Sequence, residues 1–226
     1  LRRKRPRIIA VTGSVGKTTT KDAIYTALKQ TGHVRKSEKS FNSEIGIALT
    51  VLGLTNAWDN PLKWVSNIVD GFFTALVSRS YPDTLVLEVG IDRPGDMARI
   101  TSFITPDIVV ITQLPDLPPH VEYFDSPTSL QGEEFALVHQ LATDGVVVYN
   151  HDDGTITKLL RDVRQQAIGF SRYAPSQYHI HSDAIVYESD DRPTGVTATI
   201  THIDQSATIA FQDSFGVPQL YAAAAA

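Results

Sequence analysis

The sequence predicts an α/β fold: a doubly wound, mostly parallel sheet with helices on both faces and a small antiparallel β edge near the C-terminus. Three observations carry this. Short β-branched apolar runs alternate with helical stretches from Ile8 to Phe170, the pattern of a parallel sheet with crossover helices. The first of these runs passes through a Gly-rich turn straight into a helix. After Phe170, three alternating runs follow without helices between them, which reads as an antiparallel edge.

Composition bounds the function. At 226 residues the chain holds one large domain or two small ones, with length for a sizeable core. Hydrophobic residues at 42% and charged residues at 20% describe an ordinary globular chain. A formal net charge of −5 argues against general nucleic-acid binding. The absence of Cys excludes disulfides and thiol catalysis and fits a reducing compartment. No stretch reaches the length of a membrane span, and no signal peptide is visible. Residues 1–7, LRRKRPR, read either as a solvated basic linker or as the cytoplasmic flank of a membrane tether preceding residue 1. The closing QLYAAAAA reads as a helix stopped partway.

Ile8–Val11 is short, apolar and β-branched, so it reads as a buried strand. Thr12-Gly13-Ser14-Val15-Gly16 is a tight turn with two residues that tolerate positive φ. From Lys17 onward, Ala23, Ile24, Ala27 and Leu28 recur at helical spacing. Strand, turn and helix N-terminus together gather backbone N–H groups around one point, an anion site of P-loop type suited to polyphosphate. Lys17 can reach outer phosphates and the Thr18 hydroxyl can hold Mg²⁺. The standard pattern has a further Gly where Val11 stands.

Next come a turn and short strand at Gly32–Val34, a polar loop at Lys36–Gly46, and a helix at Ile45–Leu54. Trp58–Ser78 is a second helical stretch with Trp64, Ile68, Phe72, Phe73, Leu76 and Val77 on or near one face. The expectation favoured for it is a core-facing helix; a membrane or partner surface is the alternative. Asp83–Gly90 is a buried strand carrying Glu88, a carboxylate inside an apolar run that needs a partner or a metal. A turn at Asp92–Asp96, a helix at Met97–Phe103 and a strand at Pro106–Thr112 follow. Gln113–Leu130 reads as a long Pro-rich loop holding His120, and such loops are usually functional. Ser129–Leu141 reads as a helix with Glu133 and Glu134, Gly145–Asn150 as a strand, Thr155–Arg164 as a helix and Ala167–Phe170 as a strand. The edge runs are Tyr178–Tyr187, Gly195–Ile203 and Ser206–Phe211.

Several motifs then fall into one order: TGSVGKTTTK (Thr12–Lys21), SFNSEIGIALTVL (Ser40–Leu52), LVLEVGIDRPGDM (Leu85–Met97), TPDIVVIT (Thr105–Thr112), HVEYFDS (His120–Ser126) and GVVVYNHDD (Gly145–Asp153). In this set the chain resembles the central ATP-binding domain of the Mur ligases. The Gly-x-x-x-Pro-Gly-Asp piece points to the branch that adds D-alanyl-D-alanine to the UDP-MurNAc-tripeptide. The resemblance spans residues 8–226 and implies a cytoplasmic ATP- and Mg²⁺-dependent ligase of peptidoglycan precursor synthesis. A UDP-MurNAc-peptide and a D-amino-acid dipeptide are its implied substrates, and the inner face of the membrane a possible place of work. ATP phosphorylates a carboxylate, and an amine attacks the resulting acyl phosphate.

The resemblance also implies roles. The N–H groups of Gly13, Ser14, Val15, Gly16, Lys17, Thr18 and Thr19 would cradle phosphates, with Lys17 catalytic. Thr18 and Glu88 would bind the Mg²⁺ at ATP. His120 falls on the family His that, with the same Glu, serves a second Mg²⁺. Asn42 falls beside the γ-phosphate, and Asn150 and Asp152 near the nucleotide. Three departures stand out. The family's carbamylated Lys aligns with Glu134, which reads either as a catalytic and metal-binding substitute or as a surface helix Glu. Gln113 replaces an Asn, and Gly216-Val217-Pro218-Gln219 replaces Gly-x-His-Asn. Family members also carry an N-terminal domain for the sugar nucleotide and a C-terminal domain that closes over ATP. These residues contain neither, so the chain alone is expected to be inactive. Two rival readings share the fold: a non-catalytic nucleotide-binding or scaffolding module, and another superfamily ligase such as a folylpolyglutamate synthetase.

Overall fold

One nine-stranded sheet runs through the computed structural model, which describes residues 1, 4–38, 41–76, 80–189 and 191–226. Sequence expectations touching Arg2, Arg3, Lys39, Ser40, Val77 and Ser78 lie outside the described residues. In chain order the elements are β1 (Arg7–Thr12), α1 (Lys17–Leu28), β2 (Val34–Lys36), α2 (Glu44–Leu52) and α3 (Pro61–Leu76). β3 (Thr84–Glu88), α4 (Asp96–Thr101), β4 (Ile108–Ile111), α5 (Pro127–Phe135), β5 (Val146–Asn150) and α6 (Gly154–Leu159) follow. β6 (Gln166–Ser171), β7 (Tyr178–Tyr187), β8 (Pro193–His202), β9 (Gln205–Gln212) and α7 (Val217–Ala224) complete the fold.

The strand order is β2-β3-β1-β4-β5-β6-β7-β8-β9. Pairing is parallel from β2 to β7 and antiparallel across β7-β8-β9. The edge is therefore continuous with the main sheet, as the run of helix-free strands predicts. Alternation within each central strand feeds two cores. Ile8, Ala10, Leu85, Leu87, Val109 and Ile111 pack on one face with α2, α4 and α5 residues. Ile9, Val11, Val86, Val110 and Phe170 pack on the other with Ile24 of α1 and Leu220 of α7. β1 is central, with β3 and β4 on either side. Its continuous burial explains why Val11, wholly buried, stands where a Gly was looked for.

Several boundaries move from the sequence expectations. The second strand is Val34–Lys36, and α2, expected at Ile45–Leu54, runs Glu44–Leu52. The loop after β4 is shorter than predicted, because a 3₁₀ turn forms at Val121–Tyr123 and α5 starts at Pro127. Ser126 caps α5 through its side chain, with Pro127 at the first position, a standard helix start. The helix ends at Phe135, and Val138–Gln140 is a separate 3₁₀ turn.

The core-facing expectation for α3 is overturned. Leu62, Val65, Ile68, Phe72, Phe73 and Leu76 are all exposed. The helix meets the body through Asn67, whose Nδ2 donates to Thr55 O at 2.8 Å, and through Gly71, which faces Leu52 and Leu54. Periodicity shows that a helix has an apolar arc, not what the arc faces.

The central strands should carry the stability. Leu87→Ala, at a wholly buried position, is expected to cost about 2–5 kcal/mol, measured as a lower midpoint of urea unfolding.

Candidate active site

The residues singled out in sequence gather at the carboxyl ends of the parallel strands, where open α/β sheets bind ligands. The turn after β1 is built by its glycines. Gly13 has φ 122° and Gly16, preceding α1, has φ 86°. A Cβ on Gly13 would lie 2.4 Å from Thr112 Oγ1, so no larger residue fits. No side chain caps α1. Its first-turn N–H groups at Lys17, Thr18 and Thr19 therefore remain for an anion, favoured by the helix dipole. Lys17 Nζ lies within the loop, donating to Gly13 O at 2.5 Å.

Glu88 ends β3 next to α1. Its carboxylate accepts from Thr18 Oγ1 at 2.9 and 3.0 Å. Lys21, one turn after Lys17, sits 3.3 Å from Glu88 Oε2, and the two side chains are only 2% and 7% exposed. Glu88 thus has both a hydroxyl partner and a buried counter-ion. Sequence reading quoted Lys21 within the first motif but gave it no role. The signal was present, since a buried carboxylate requires a cation and Lys21 is three positions from Thr18 on the same helix. Thr18 and Glu88 also form a hard-oxygen pair of the kind Mg²⁺ takes together with phosphates and water. The donor set fits the metal that the sequence implies.

Glu134 is not a surface residue. It is 5% exposed, and Ser14 Oγ donates to its Oε2 at 2.9 Å. Burial raises its pKa above the usual carboxylate value; the Ser14 hydrogen bond and the charges of Lys17 and His120 oppose that rise. Its neighbour Glu133 reaches the other way, accepting from the N–H groups of Gly95 and Met97 at 2.9 and 3.2 Å. α5 therefore joins the turn after β1 to the turn before α4. His120 stands in left-handed backbone, half-exposed, with Nε2 3.7 Å from Asp92 Oδ1. The structure places it in electrostatic range of Glu134; its resolved ion-pair partner is Asp92 rather than Glu88. Asn42 lies against Gly90, two residues beyond Glu88, and its carbonyl accepts from Gly90 N at 2.9 Å.

A cavity of about 400 Å³ opens beside this turn, bordered by Val15, Gln113, Asn150, Phe170, Tyr173 and Tyr221, among others. Asp152 shapes its wall. Its oxygens accept from Ser171 Oγ, Arg172 N and Tyr221 OH, each at 2.7 Å, and from Tyr173 N at 3.3 Å. Burial pushes this carboxyl up, but those four donors together hold it below its usual value. The same contact, after burial, raises the Tyr221 pKa. Asp152 is thus occupied by its own chain and fixes the aromatic lining. Asn150 Oδ1 accepts from Asp152 N at 3.1 Å. Asp153 caps α6 and accepts from Leu114 N at 2.7 Å. Val217 and Pro218 also line the cavity, Pro218 standing where Gly-x-His-Asn has its His.

Comparison with known proteins decides the family. The Mur ligase middle domain matches residues 11–62 and 68–226. The chain belongs to the Mur ligase family. Among curated relatives, the UDP-N-acetylmuramoyl-tripeptide–D-alanyl-D-alanine ligase of Bacillus subtilis is 30% identical over 147 residues, 65% of this chain and 26% of the relative. The enzyme of the same name from Mycobacterium leprae is 28% identical over 165 residues, 73% and 27% of the two chains. This chain thus aligns with about a quarter of either relative's length. The MurF ligase of Thermotoga maritima, solved with ADP, superposes with a TM-score of 0.74 at 21% identity over 99% of this chain and 45% of that one. An FPGS–AMPPCP complex superposes less closely, at 0.64 and 16% over 99% and 58%. The Mur ligase fold is thus shared across both branches.

Two outcomes test the site. Lys21→Met leaves Glu88 buried without its cation and is expected to cost about 3–5 kcal/mol; adding Glu88→Gln should recover part of that loss in chemical denaturation. Glu134 fixes a pH dependence. With its native pKa raised, the folded state binds the proton more tightly than the unfolded one, so stability falls as pH rises from 4.5 through the native value. In Glu134→Gln that slope should vanish from a series of unfolding curves taken across the interval.

Proposed function

We propose that residues 8–226 form the ATP-binding, acyl-activating middle domain of a cytoplasmic amide ligase in peptidoglycan precursor synthesis. The observation that supports it most is the convergence of Lys17, the uncapped N-terminus of α1 and the Thr18–Glu88 oxygen pair at one point. Phosphoryl transfer requires positioning and charge neutralisation rather than a protein nucleophile, and that is what these groups supply. The turn N–H groups cradle the phosphates, and Lys17 leaves Gly13 O to meet the outer ones. Thr18 and Glu88 would hold Mg²⁺, which would supply charge neutralisation at the phosphates. The carboxylate of a UDP-MurNAc-peptide takes the γ-phosphoryl group. An amine such as that of D-alanyl-D-alanine then displaces phosphate to form the amide.

Glu134 takes the place of the family's carbamylated Lys. It supplies a carboxylate at the phosphate turn, and together with His120 it would serve a second Mg²⁺. Asn42 borders the γ-phosphate, and Asn150 with the Asp152-braced aromatic wall borders the nucleoside. Sugar-nucleotide binding, amine binding and closure over ATP belong to parts of the enzyme other than this domain, and these 226 residues alone do not ligate. The basic residues 1–7 favour work at the inner face of the membrane, with a tether in the segment preceding residue 1. No nucleic acid is a partner.

Pro218 in place of the family's His, with Gln113 and Glu134, favours a second reading, a nucleotide-binding module without ligase chemistry. The names of the curated relatives favour the D-alanyl-D-alanine branch over a polyglutamate-adding one. Calorimetry with ATP separates these readings. Mg²⁺-dependent binding is expected for the unaltered chain, abolished by Lys17→Ala and stripped of metal dependence by Glu134→Ala. Binding that ignores both Mg²⁺ and Lys17→Ala would remove the ligase reading.

A further inference from the structure

The geometry points to the outer face of α3 as a docking surface for an anionic lipid membrane. α3 turns Leu62, Val65, Ile68, Phe72, Phe73 and Leu76 to solvent. These residues form an arc about half the helix circumference wide. The arc continues into an apolar groove of about 610 Å³ between α2 and α3, closed at its floor by Leu49 and Leu52 and at one end by Phe103. A contiguous apolar face of this extent marks an interaction site rather than ordinary surface. The exposed polar residues Ser66, Asp70 and Lys63 flank this arc on one side, where Ser66 Oγ donates to Asp70 Oδ2 at 3.1 Å. The helix is thus amphipathic with its apolar side outward, as in helices that lie in a membrane interface.

Charge selects the occupant. Phe103 also borders a second depression, lined by Leu1, Arg5 and Pro6. The basic opening segment therefore adjoins the apolar face through one shared side chain. Arg5 is exposed there. An anionic bilayer satisfies both parts at once: acyl chains and the headgroup boundary receive the arc, and lipid phosphates meet Arg5. The family match is interrupted at residues 63–67, inside α3, a gap that includes Val65 of this face. No helix among the described residues is long and apolar enough to cross a membrane, which makes this a surface contact. It is independent of the nucleotide chemistry and distinct from a tether before residue 1.

The chain has two tryptophans, Trp58 and Trp64, one just before α3 and one within it. Their fluorescence reports on this face directly. The test is titration of the 226-residue chain with phosphatidylglycerol–phosphatidylcholine vesicles, beside pure phosphatidylcholine. Emission should shift to the blue and the protein should float with anionic vesicles, both weakening at high salt. Ile68→Asp with Phe72→Asp, at exposed positions, should cut vesicle affinity by more than about tenfold while leaving the circular dichroism melt and ATP titration unchanged. Arg5→Glu should weaken binding to anionic vesicles alone. No flotation, or flotation indifferent to the α3 substitutions, overturns the proposal. So does a dimer in light scattering that those substitutions dissociate, since a second copy would then own the face. Loss of ATP binding with lipid binding intact would instead count against the ligase reading only.

Discussion

Glu88 is a carboxylate at the end of an apolar strand, and Lys21 is the cation buried against it. Most of the site follows from that pair. It ties β3 to α1 beneath the phosphate turn, and Thr18 completes the link from above. A buried ion pair of this kind adds little net stability over an apolar alternative, but breaking it is expensive. Its value here is positional. It holds a carboxylate and a hydroxyl side by side, ready to share a divalent cation, while Lys17 remains on the open side of the same helix. The two lysines, one turn apart, therefore divide the work: one is structural and the other faces the phosphates.

The second organising element is the belt of acceptors along the strand ends. Asp152 gathers Ser171, Arg172, Tyr173 and Tyr221, and Asp153 gathers Leu114 and the start of α6. Neighbouring residues thus brace the two sides of the cavity. The aromatic wall gets its orientation from a carboxylate rather than from packing alone, and α7 is anchored to the sheet by a phenol.

The strands were legible because β-branched apolar runs between helices leave few alternatives, and the phosphate turn because Gly13, Gly16, Lys17 and Thr18 each do something only that residue type does well. The antiparallel edge was legible from the missing helices. Three things were not. The orientation of α3 depends on which side meets Asn67 and Gly71, and periodicity is silent on that. The burial of Glu134 depends on where α5 lands, and its start at Pro127 was hidden inside what looked like loop. Lys21 and Tyr221 were visible as residues but not as partners, because their roles exist only across the fold. Tyr221 in particular stands inside a stretch that reads only as a helix stopped partway.

Glu133 and Glu134 are consecutive on α5, yet one grips the turn before α4 and the other the turn after β1. Successive side chains on a helix point about 100° apart, so both grips depend on the same angular setting. Adding or deleting one residue between Ser126 and Glu133 would rotate both carboxylates off their partners together. Length variation among natural variants of this chain should therefore collect in the loop ahead of Ser126 and be purged from α5. Point substitutions on its outer face should pass freely.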